Sequence, residues 1–586
     1  MFNWLTKKTR EDKSPKSFTL DERRGEIDYP EIQEASRLEK AGNLEQAEAL
    51  YLDILEKVPD HAKALFQLGV LCKRRGDYKV ALDYFTQAAD MQTTAAAAYV
   101  ESGRIFEILN EHEDAIYAYE MAIHHREDYS DAYSLLVDLY KENNKIKKAL
   151  AVCIKWTDIC PNDAIAFYTL GILYKDIEDY QASRASLAKS IELMPELSRG
   201  WAMLGHVLLI LENYDLARES LLRCIHLNPA ELSAHINLGG VYRYLGLFEE
   251  ALVQFDYSLK MEPNNFWARY NRAHVLLTQG RFREGWVDYD ARFLTRAAHY
   301  RPLPFSPWRG ESLSGKTILV FAEQGLGDEI MFASCLPDVI AQAEHCVIEC
   351  EPRLMDLFRR SFPKVQIFPC RQERVPSWLK EVPPIDFQCP AGSLPRYLRN
   401  DLDDFPSYQG YLKADPDRVV YWRTQLEALG PGLKIGVSWR GGTVRSCTIR
   451  RSMTLEQLLP IFRTERTRFI NLQYGDCRQD LAALEKDHGI HVYHWQEAID
   501  DYDETAALVS ALDLVITVCT SIVHLSGALN KTVWIMTPAV PEWRYMQNGV
   551  QMPWYGSTRL FRQSESGDWD VVINNICDSL QTLVNN

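Results

Sequence analysis

The sequence predicts an all-α array of helical repeats followed by an α/β region made of two Rossmann-like halves. Three observations lead to this fold class. Small residues recur every 34 positions, three closely spaced prolines then end the helical pattern near residue 300, and short apolar runs afterwards alternate with helical spacing. We predict a charged, mobile lead-in at residues 1–27 and the repeat array at residues 28–299. The first α/β half is predicted at residues 300–430 and the second at residues 431–586.

Composition narrows the class of protein. The chain has 586 residues, too many for one hydrophobic core, and its formal net charge of −16 argues against a general nucleic-acid or anionic-membrane surface. It offers no apolar leader and no apolar run of about 18 residues, so we expect a cytoplasmic protein without membrane insertion. Its 13 cysteines form no pairs with zinc-site spacing and are predicted to be reduced structural thiols.

Two series of small residues, 12 positions apart within each unit, define the repeats. The first series is Ala35, Gly69, Gly103, Val137, Gly171, Gly205, Gly239 and Ala273, with Val137 its one bulky member. The second series is Ala47, Ala81, Ala115, Ala149, Ser183, Ala217, Ala251 and Gly285. Small side chains are needed where paired helices touch. Over about eight units this pattern resembles the tetratricopeptide repeat (TPR), which stacks into a superhelix with a concave groove.

First-helix positions of such a solenoid line the groove, and here most of them are apolar. The set predicts a protein partner held partly by hydrophobic contacts; the alternative for any one member is packing between repeats. The asparagine ladder of the O-GlcNAc transferases is only fragmentary here, as Asn237 and Asn271, which favours a folded or helical partner. The predicted groove residues are Phe66, Val70, Val100, Tyr168, Ile172, His206, Ile210, Ile236, Arg243 and Tyr244.

Aromatic residues gather where the repeat pattern ends. They are Trp286, Tyr289, Phe293 and Trp308. Aromatic side chains bury large apolar areas. We therefore expect them to attach the last repeat to the next domain and to make the junction stiff.

The first half of the α/β region opens with the segment Thr317–Leu336, which reads as strand, glycine turn and helix. Such a turn lies at the carboxyl end of a parallel strand, where open α/β sheets bind ligands. Gln324, Gly325 and Gly327 are therefore predicted to let a ligand approach backbone amides. Asp328 is either a catalytic carboxylate at this glycine turn or a first-turn acid that caps the helix.

The second half repeats the alternation of strands and helices, with polar residues at the strand ends. Eight strands are predicted for the two halves, at Ile318–Ala322, Cys346–Cys350, Val365–Phe368, Ile385–Cys389, Lys434–Trp439, Phe469–Asp476, Ile490–Trp495 and Leu512–Val518. Because the carboxyl ends of parallel strands share one edge of a sheet, the polar segments should converge on a phosphate-bearing ligand. The predicted donor-binding residues here are Ser438, Arg440, Arg450, Arg451, Gln473, Tyr474, Thr520, Ser521 and His524.

Two motifs superficially suggest a metal site. The acids of Asp500–Glu504 precede a helical run, so Asp503 is better explained as its N-cap. His491, His494 and Glu497 lie at the ends of a predicted strand and lack a companion cluster. We therefore expect no metal and no other cofactor.

Several of these motifs carry a family resemblance. The first half contains EQGLGDEI, and the second contains VSWRGG, RRSM, NLQYGD and LDLVITVCTSIVHLSGALNKTVWIM. Together they resemble the GT-B glycosyltransferases related to the heptosyltransferases. With a TPR array in front, and with TPAVPEWRY and MPWYGSTRLFRQ near the end, the chain is similar to bacterial TPR-glycosyltransferases, among them flagellin glycosyltransferases.

The resemblance implies a reaction and roles for residues. It implies an inverting, metal-independent transfer of a sugar from a nucleotide sugar to Ser or Thr hydroxyls of a protein captured by the repeats, with flagellin the best candidate. Asp328 matches the family's general base, and Arg450 or Arg451 matches its phosphate contact. Where the family has an aspartate before Thr520, this chain has Cys519. The sugar stays open between a nonulosonic acid, a heptose and an N-acetylhexosamine.

Two rival interpretations remain at this point. In the first, the protein transfers a sugar from a nucleotide sugar to a lipid or a polysaccharide. The acidic chain and the long solenoid disfavour such an acceptor. The other, from a different class, is a TPR scaffold whose transferase region no longer turns over, which Cys519 allows.

Overall fold

A computed structural model describes residues 30–295, 301, 303–370, 376–406, 410–441, 451–564 and 568–585. The predicted lead-in lies outside the described residues. The chain divides into two compact units, Met1–Ala234 and His235–Asn586.

The described part of the first unit is all helical and holds six antiparallel pairs. Its helices are α1 Pro30–Lys40, α2 Leu44–Lys57, α3 Ala62–Arg75, α4 Tyr78–Ala89, α5 Ala95–Ile108, α6 His112–His125, α7 Ser130–Glu142, α8 Ile146–Ile159, α9 Ala164–Asp176, α10 Tyr180–Leu193, α11 Ser198–Ile210 and α12 Tyr214–Leu227. The predicted 34-residue repeats are confirmed over this range.

The small residues of the repeat pattern lie where the two helices of a pair meet. A Cβ placed on Gly69 of α3 would lie 2.6 Å from the ring of Phe85 on α4. A Cβ on Gly171 of α9 would likewise lie 2.6 Å from Cγ of Leu187 on α10. In these pairs a large apolar side chain therefore packs onto bare backbone, which explains their glycines in the first series.

The second unit begins with two further helical pairs. Their helices are α13 Leu232–Tyr244, most of which lies in this unit, α14 Phe248–Met261, α15 Phe266–Thr278 and α16 Phe282–Tyr289. Inside the compact unit these helices join the α/β region, because Trp286 donates from Nε1 to the carbonyl of Arg399 at 2.7 Å and stacks edge-on against Trp543 at 5.4 Å. The predicted attachment through Trp286 is confirmed.

The first sheet has five parallel strands in the order β1-β5-β2-β3-β4. Its strands are β1 Ser306–Pro307, β2 Thr317–Phe321, β3 His345–Cys350, β4 Gln366–Pro369 and β5 Phe387–Pro390. Its helices are α17 Leu326–Phe332, α18 Leu336–Gln342, α19 Met355–Ser361, α20 Pro395–Leu398 and α21 Pro416–Glu427. Every residue of β2 is buried, as expected for a central parallel strand.

The second sheet has six parallel strands in the order β11-β10-β9-β6-β7-β8. Its strands are β6 Leu433–Ser438, β7 Thr467–Asn471, β8 Val492–Tyr493, β9 Leu514–Val518, β10 Val533–Thr537 and β11 Thr558–Arg562. Its helices are α22 Leu459–Phe462, α23 Arg478–His488, α24 Gln496–Asp500, α25 Tyr502–Ala511, α26 Ser521–Ala528 and α27 Trp569–Asn585.

The eight predicted strands correspond to β2 through β9, and the prediction of two parallel α/β halves is confirmed. Strands β1, β10 and β11 were not predicted. Strand β1 has only two residues, too few to show a period. Across the parts of the chain that the structure describes, no helix is long and apolar enough to cross a bilayer.

Candidate functional site

The two sheets of the second unit are joined by an ion pair at the predicted glycine turn. Asp328 lies in the first turn of α17, directly after β2. Arg544 lies in the loop that follows β10, and its Nε donates to Oδ1 of Asp328 at 2.8 Å. Its Nη2 contacts the same oxygen. The site is therefore assembled from both α/β halves.

Arg544 is enclosed by further groups of its own loop. Glu542 lies 3.5 Å from Nη1, and the guanidinium stands 4.7 Å above the ring of Trp543. Burial disfavours the charged form of Arg544, but the charges of Asp328 and Glu542 outweigh it and hold its pKa above the ordinary value. Arg544 thus remains a cation beside Asp328.

His524, on α26, closes one side of the site. It is 5 % exposed, and its Nδ1 lies 3.1 Å from the hydroxyl of Tyr555. Burial, with a contribution from Arg544, lowers the pKa of His524 to about 3, so the ring is neutral at physiological pH. A Cβ on Gly327 would lie 3.1 Å from Cδ2 of His524 and 3.3 Å from Cα of Ser521. Gly327, predicted to admit a ligand, is also needed for the close approach of α17 and α26.

The last helical pair reaches the same turn. Tyr289 donates from its hydroxyl to Oε1 of Gln324 at 3.1 Å. Burial raises the pKa of Tyr270, on α15, to about 12. The charge of Arg544 lowers this pKa, and the charge of Asp328 raises it. Helical-repeat side chains are therefore part of the electrostatic environment of Asp328.

His274 is a second histidine on this side of the site. It stands edge-on to Tyr270, with ring centres 4.6 Å apart. Burial, with Arg243 and Arg544, holds the pKa of His274 well below its ordinary value. Its Nε2 is buried and has no hydrogen-bond partner among the described residues.

A recess adjoins the ion pair between α13–α15 and the second half. Its walls combine cationic, aromatic and small apolar side chains. Arg451 contributes a buried Nε that has no hydrogen-bond partner in the described parts of the chain. The lining residues are Arg243, Tyr244, Phe248, Thr278, Arg451, Cys519, Pro538, Val540, Pro541 and Glu542.

Gln473, predicted to contact the donor, instead holds the loop after β6. Its Oε1 accepts from the backbone amides of Trp439 at 3.0 Å and Arg440 at 2.8 Å, and from the hydroxyl of Ser438 at 3.2 Å. Its Nε2 donates to the carbonyls of Arg440 and Tyr474. Gln473 and the fully buried Ser438 therefore shape this loop, and their donor contacts stay a prediction.

The other predicted donor residues of this region differ in their surroundings. Arg440 forms an ion pair of 2.9 Å with Asp480 and also donates to the carbonyl of Asp476, so its charge is already engaged. Tyr474 is 49 % exposed. Arg450 lies outside the described residues.

The end of β9 meets the loop after β6. A Cβ on Gly441 would lie 2.9 Å from the carbonyl oxygen of Cys519 and 3.0 Å from Cγ2 of Thr520. Thr520 caps α26 by accepting from the amide of Ile522. Burial raises the pKa of Cys519 to about 12, so its thiol stays protonated. The predicted convergence of these strand ends is confirmed.

The predicted TPR groove residues fall in both units. In the first unit Phe66, Val70, Tyr168, Ile172 and His206 are partly exposed and Ile210 is exposed, whereas Val100 is 2 % exposed. Val100 cannot line a groove because it packs in the core between helices. In the second unit Ile236, Arg243 and Tyr244 are partly exposed.

The two motifs that suggested metal ligands have other partners. Asp501, not Asp503, is the N-cap of α25, because it accepts from the amides of Asp503 and Glu504. Asp503 instead pairs with Arg360 at 2.6 Å. His494 contacts Asn471 at 2.8 Å. Within the described ranges, no group of three or more His, Cys, Asp or Glu residues could hold a metal ion.

Sequence reasoning missed Arg544, Glu542, Tyr270, His274 and Tyr555. The segment TPAVPEWRY, which contains two of them, carried a family resemblance but no local signal of its chemistry. An arginine in a loop is usually a surface group, and only the fold brings this one onto Asp328.

Glu329 follows Asp328 in α17, and its buried carboxyl group should make the free energy of unfolding depend on pH. Burial raises its pKa from 4.5 to about 8, and nearby Glu351, Glu323 and Glu349 add to the shift. A group whose pKa is higher in the folded than in the unfolded state contributes to the stability of the fold. This contribution is complete below the pKa of the unfolded state and is lost as the pH rises through the folded-state pKa of about 8. We expect the free energy of unfolding to fall between pH 5 and 8 by up to about 1.4 kcal/mol per pH unit from this group.

Urea unfolding of Glu329→Gln at several pH values checks this expectation. In the variant, the free energy of unfolding should fall less steeply with pH. It should exceed the wild-type value most clearly near pH 8. Glu381→Gln, at an exposed carboxylate of the same half, is the matched control and should keep the wild-type slope. Equal slopes for wild type and Glu329→Gln would contradict the raised pKa.

Comparison with known proteins supports the repeats directly. Families described as tetratricopeptide repeat match residues 32–93, 73–133, 164–196 and 198–231. Protein FlbA of Caulobacter vibrioides is 33 % identical over 293 residues. The match covers 48 % of each chain, so this chain spans about half the length of that relative.

Solved structures of TPR proteins match part of this chain. YrrB, described as a TPR protein with an unusual peptide-binding site, is 22 % identical over 31 % of this chain and 95 % of its own, with a TM-score of 0.28. The C-terminal part of a TPR protein from Cytophaga hutchinsonii is 18 % identical over 41 % of this chain and 98 % of its own, with a TM-score of 0.35. At these scores the similarity has no functional meaning.

Proposed function

We propose that this chain is an inverting, metal-independent glycosyltransferase of GT-B type that moves a sugar from a nucleotide sugar to Ser or Thr hydroxyls of a protein. Flagellin is the proposed acceptor. The observation that carries the proposal is Asp328, at the carboxyl end of β2, held by Arg544 from the other α/β half. A carboxylate at the meeting edge of two parallel sheets is suited to act on ligands bound between them.

Asp328 has one oxygen available for proton transfer. Both contacts of Arg544 are made to Oδ1, and no group in the described parts of the chain donates to Oδ2. Oδ2 lies 3.7 Å from the position that a Cβ on Gly325 would take, and Gly325 is exposed. In the proposed reaction Oδ2 removes the proton of the acceptor hydroxyl as the oxygen attacks the anomeric carbon. General-base assistance of this kind contributes about 10²–10⁴ in rate.

The departing nucleotide needs positive charge. The proposed sources are Arg451, whose Nε has no hydrogen-bond partner among the described residues, and the capped N-terminus of α26. A single displacement inverts the anomeric carbon, and enclosure between the halves limits loss of the donor to hydrolysis.

The helical repeats support a protein acceptor. TPR arrays bind protein segments in their concave groove, and the partly exposed groove residues of the first unit include apolar and aromatic side chains. The choice of flagellin rests on the resemblance to flagellin glycosyltransferases. The sugar is one of a nonulosonic acid, a heptose or an N-acetylhexosamine.

The intact mass of flagellin co-expressed in source cells tests the proposal. Wild-type protein should add one or more sugar masses, whose size identifies the sugar, and Asp328→Asn should abolish them. Asp403→Asn, at an exposed aspartate of the same half, is the matched control and should leave the increment unchanged. A stable complex with flagellin but no increment from the wild type would refute flagellin modification.

A TPR scaffold with an inactive transferase region is the second candidate. Cys519 favours it, because a buried, protonated thiol cannot replace an aspartate as an anionic group. Binding of nucleotide sugars by calorimetry separates the two. Binding that is abolished by Arg451→Ala would reject the scaffold, whereas partner binding with neither donor binding nor turnover would favour it. Transfer to an isolated lipid or polysaccharide, but not to protein, would instead support the other acceptor class.

A further inference from the structure

The turns between the paired helices of the repeats share an unusual backbone conformation. At the same position of each of the eight repeats φ is positive, between 56° and 87°. Glycine is favoured at such angles, but four repeats carry asparagine or glutamate there, so this turn tolerates a side chain. The eight residues, each 34 positions after the last, are Gly42, Gly76, Asn110, Asn144, Glu178, Glu212, Gly246 and Gly280.

The glycines at the beginning and at the end of this series have different surroundings. Outside its own turn, a Cβ placed on Gly76 would meet no atom of the described residues within 4 Å. A Cβ on Gly246 would lie 3.1 Å from Cγ2 of Val540. A Cβ on Gly280 would lie 3.1 Å from Cε of Met546. In the last two repeats, side chains of the α/β region therefore rest on the bare backbone of the turn.

Val540 and Met546 belong to one loop, the β10 loop (residues 538–547), which follows β10 and carries Arg544. The amide of Gln547, directly after Met546, donates to the carbonyl of Thr278 in α15 at 2.8 Å. The last two repeats thus contact the loop on both sides of Arg544.

The middle of the β10 loop also packs on the last helical pair. The ring of Trp543 lies 5.4 Å from that of Trp286 and 5.5 Å from that of Tyr289. Both of these residues are in α16, and all three side chains are buried. The residue directly before Arg544 is therefore held by the repeats as well.

The backbone of the β10 loop is strained close to Arg544. Met546 has φ of 60° and ψ of 163°, a combination that is confined almost entirely to glycine. Such a conformation persists only where the surroundings hold it. Here the Met546 side chain rests on Gly280, and the next amide is bound to Thr278. Without these contacts we expect the loop to relax and Arg544 to change its position.

We propose that the last two repeats position Arg544 for its contact with Asp328, because their turn glycines support the β10 loop. Val540 and Met546 are the positioning residues, and they act through Arg544. The support of the loop follows from the contacts alone, whereas its effect on sugar transfer rests on the proposed function. In this arrangement the repeats serve the chemical step in addition to any capture of the acceptor.

Asparagine at the turn positions tests the support in the full chain. Gly246→Asn and Gly280→Asn each put a side chain against the β10 loop. The turn itself tolerates this residue, since Asn110 and Asn144 have φ of 59° and 56° at the same repeat position. Gly76→Asn is the matched control, because it makes the same change where no loop lies on the turn. A difference between the variants therefore reports the contact with the loop.

Hydrogen–deuterium exchange with mass spectrometry measures the support without any substrate. Peptides that cover residues 538–547 should exchange about tenfold faster in Gly246→Asn and Gly280→Asn, because the loop is displaced from the repeats. In Gly76→Asn these peptides should exchange as in the wild type. Unchanged exchange in both loop-facing variants would overturn the proposal.

Sugar transfer to flagellin at saturating donor measures the effect on the chemical step. Both loop-facing variants should lower kcat about 10- to 10²-fold, since a misplacement of about 1 Å near a reacting centre has effects of this size. The KM for flagellin should stay near the wild-type value, and Gly76→Asn should change neither quantity. Repeats that only capture the acceptor would give the opposite result, a raised KM with an unchanged kcat, and this would refute the positioning role.

A substitution in the loop shows whether the contact itself is responsible. Met546→Ala removes the side chain that rests on Gly280 and should lower kcat in the same way. In this background Gly280→Asn should have little further effect, because the side chain that it displaces is gone. Fully additive losses would contradict the proposal at this position. Met546→Ala leaves the repeats untouched, so it still tests the proposal where a turn variant does not fold.

Failure of this inference and failure of the proposed function give different results. If the wild type transfers sugar and the variants keep its kcat while their loop exchanges faster, the positioning role is refuted and the proposed function stands. If the wild type transfers no sugar, the proposed function fails together with the positioning role, and the exchange experiment alone decides whether the repeats hold the loop.

Discussion

Asp328→Asn should lower the rate of sugar transfer about 10²- to 10⁴-fold while nucleotide-sugar binding is retained. The amide keeps the size of the side chain, and its oxygen can still accept from Arg544. It cannot take up the proton of the acceptor hydroxyl, so only the chemical step is lost. Single-turnover transfer with saturating donor measures this effect, and calorimetric titration of the donor measures binding.

The variant also removes the closer of the two carboxylates that face Arg544 and leaves only Glu542, and this effect must be separated from the loss of chemistry. Arg544 is only 16 % exposed at its side chain, so removing its partner costs stability. In Asp328→Asn with Arg544→Gln, most of the lost stability should return because the buried cation is gone and Glu542 is partly exposed to water, whereas transfer should stay low. Recovery of transfer in the double variant, or a near-wild-type rate in Asp328→Asn, would rule out Asp328 as the base.

Arg292→Met should lower the free energy of unfolding by about 3–5 kcal/mol, the largest stability effect expected for one substitution in this region. Arg292 follows the last helical pair, and its side chain is 0 % exposed. Its Nη2 donates to Oε1 of Glu323 at 2.9 Å and to Ser393 at 2.8 Å, and its Nη1 to Asp290 at 2.9 Å. Without it, the carboxylate of Glu323, 1 % exposed, is buried with no counter-charge.

Urea unfolding of paired variants checks this expectation. Arg292→Met with Glu323→Gln should recover most of the loss, because the buried charge disappears with its partner. Arg283→Met is the matched control, since Arg283 pairs with Asp401 at 3.4 Å with side chains 75 % and 71 % exposed. That exposed pair should contribute about 0–1 kcal/mol. Equal effects at the two arginines would show that burial does not decide the contribution of the pair.

Much of the fold could be predicted because its signals are local. The repeats show in a fixed spacing of small residues, since each pair of helices meets at the same two positions. Strands such as β2 and β9 show as short apolar runs because a central parallel strand is buried on both faces. Strand β11, with the polar pattern TRLFR, lies at the edge of its sheet and lacks such a run.

The candidate site was predictable only in part. The glycine turn with Asp328 is a local motif, and the convergence of Gly441 with Cys519 and Thr520 follows from parallel strand order. The hydrogen bonds of Gln473 to its own loop could not be predicted, because a polar residue at a strand end can serve its loop as readily as a ligand. The N-cap of α25 was misplaced by two residues, since neighbouring acids are equivalent in sequence.

Local pattern was thus sufficient for the helical repeats, the parallel order of the two halves and the position of Asp328, because each depends on residues close together in the chain. Only the folded chain decided that Arg544 holds Asp328, 216 residues away, and that His524 contacts Tyr555. These contacts form between elements whose own sequences serve other needs, such as packing and loop structure. Spacing in the chain therefore carries no signal of them, whereas distance in the fold does.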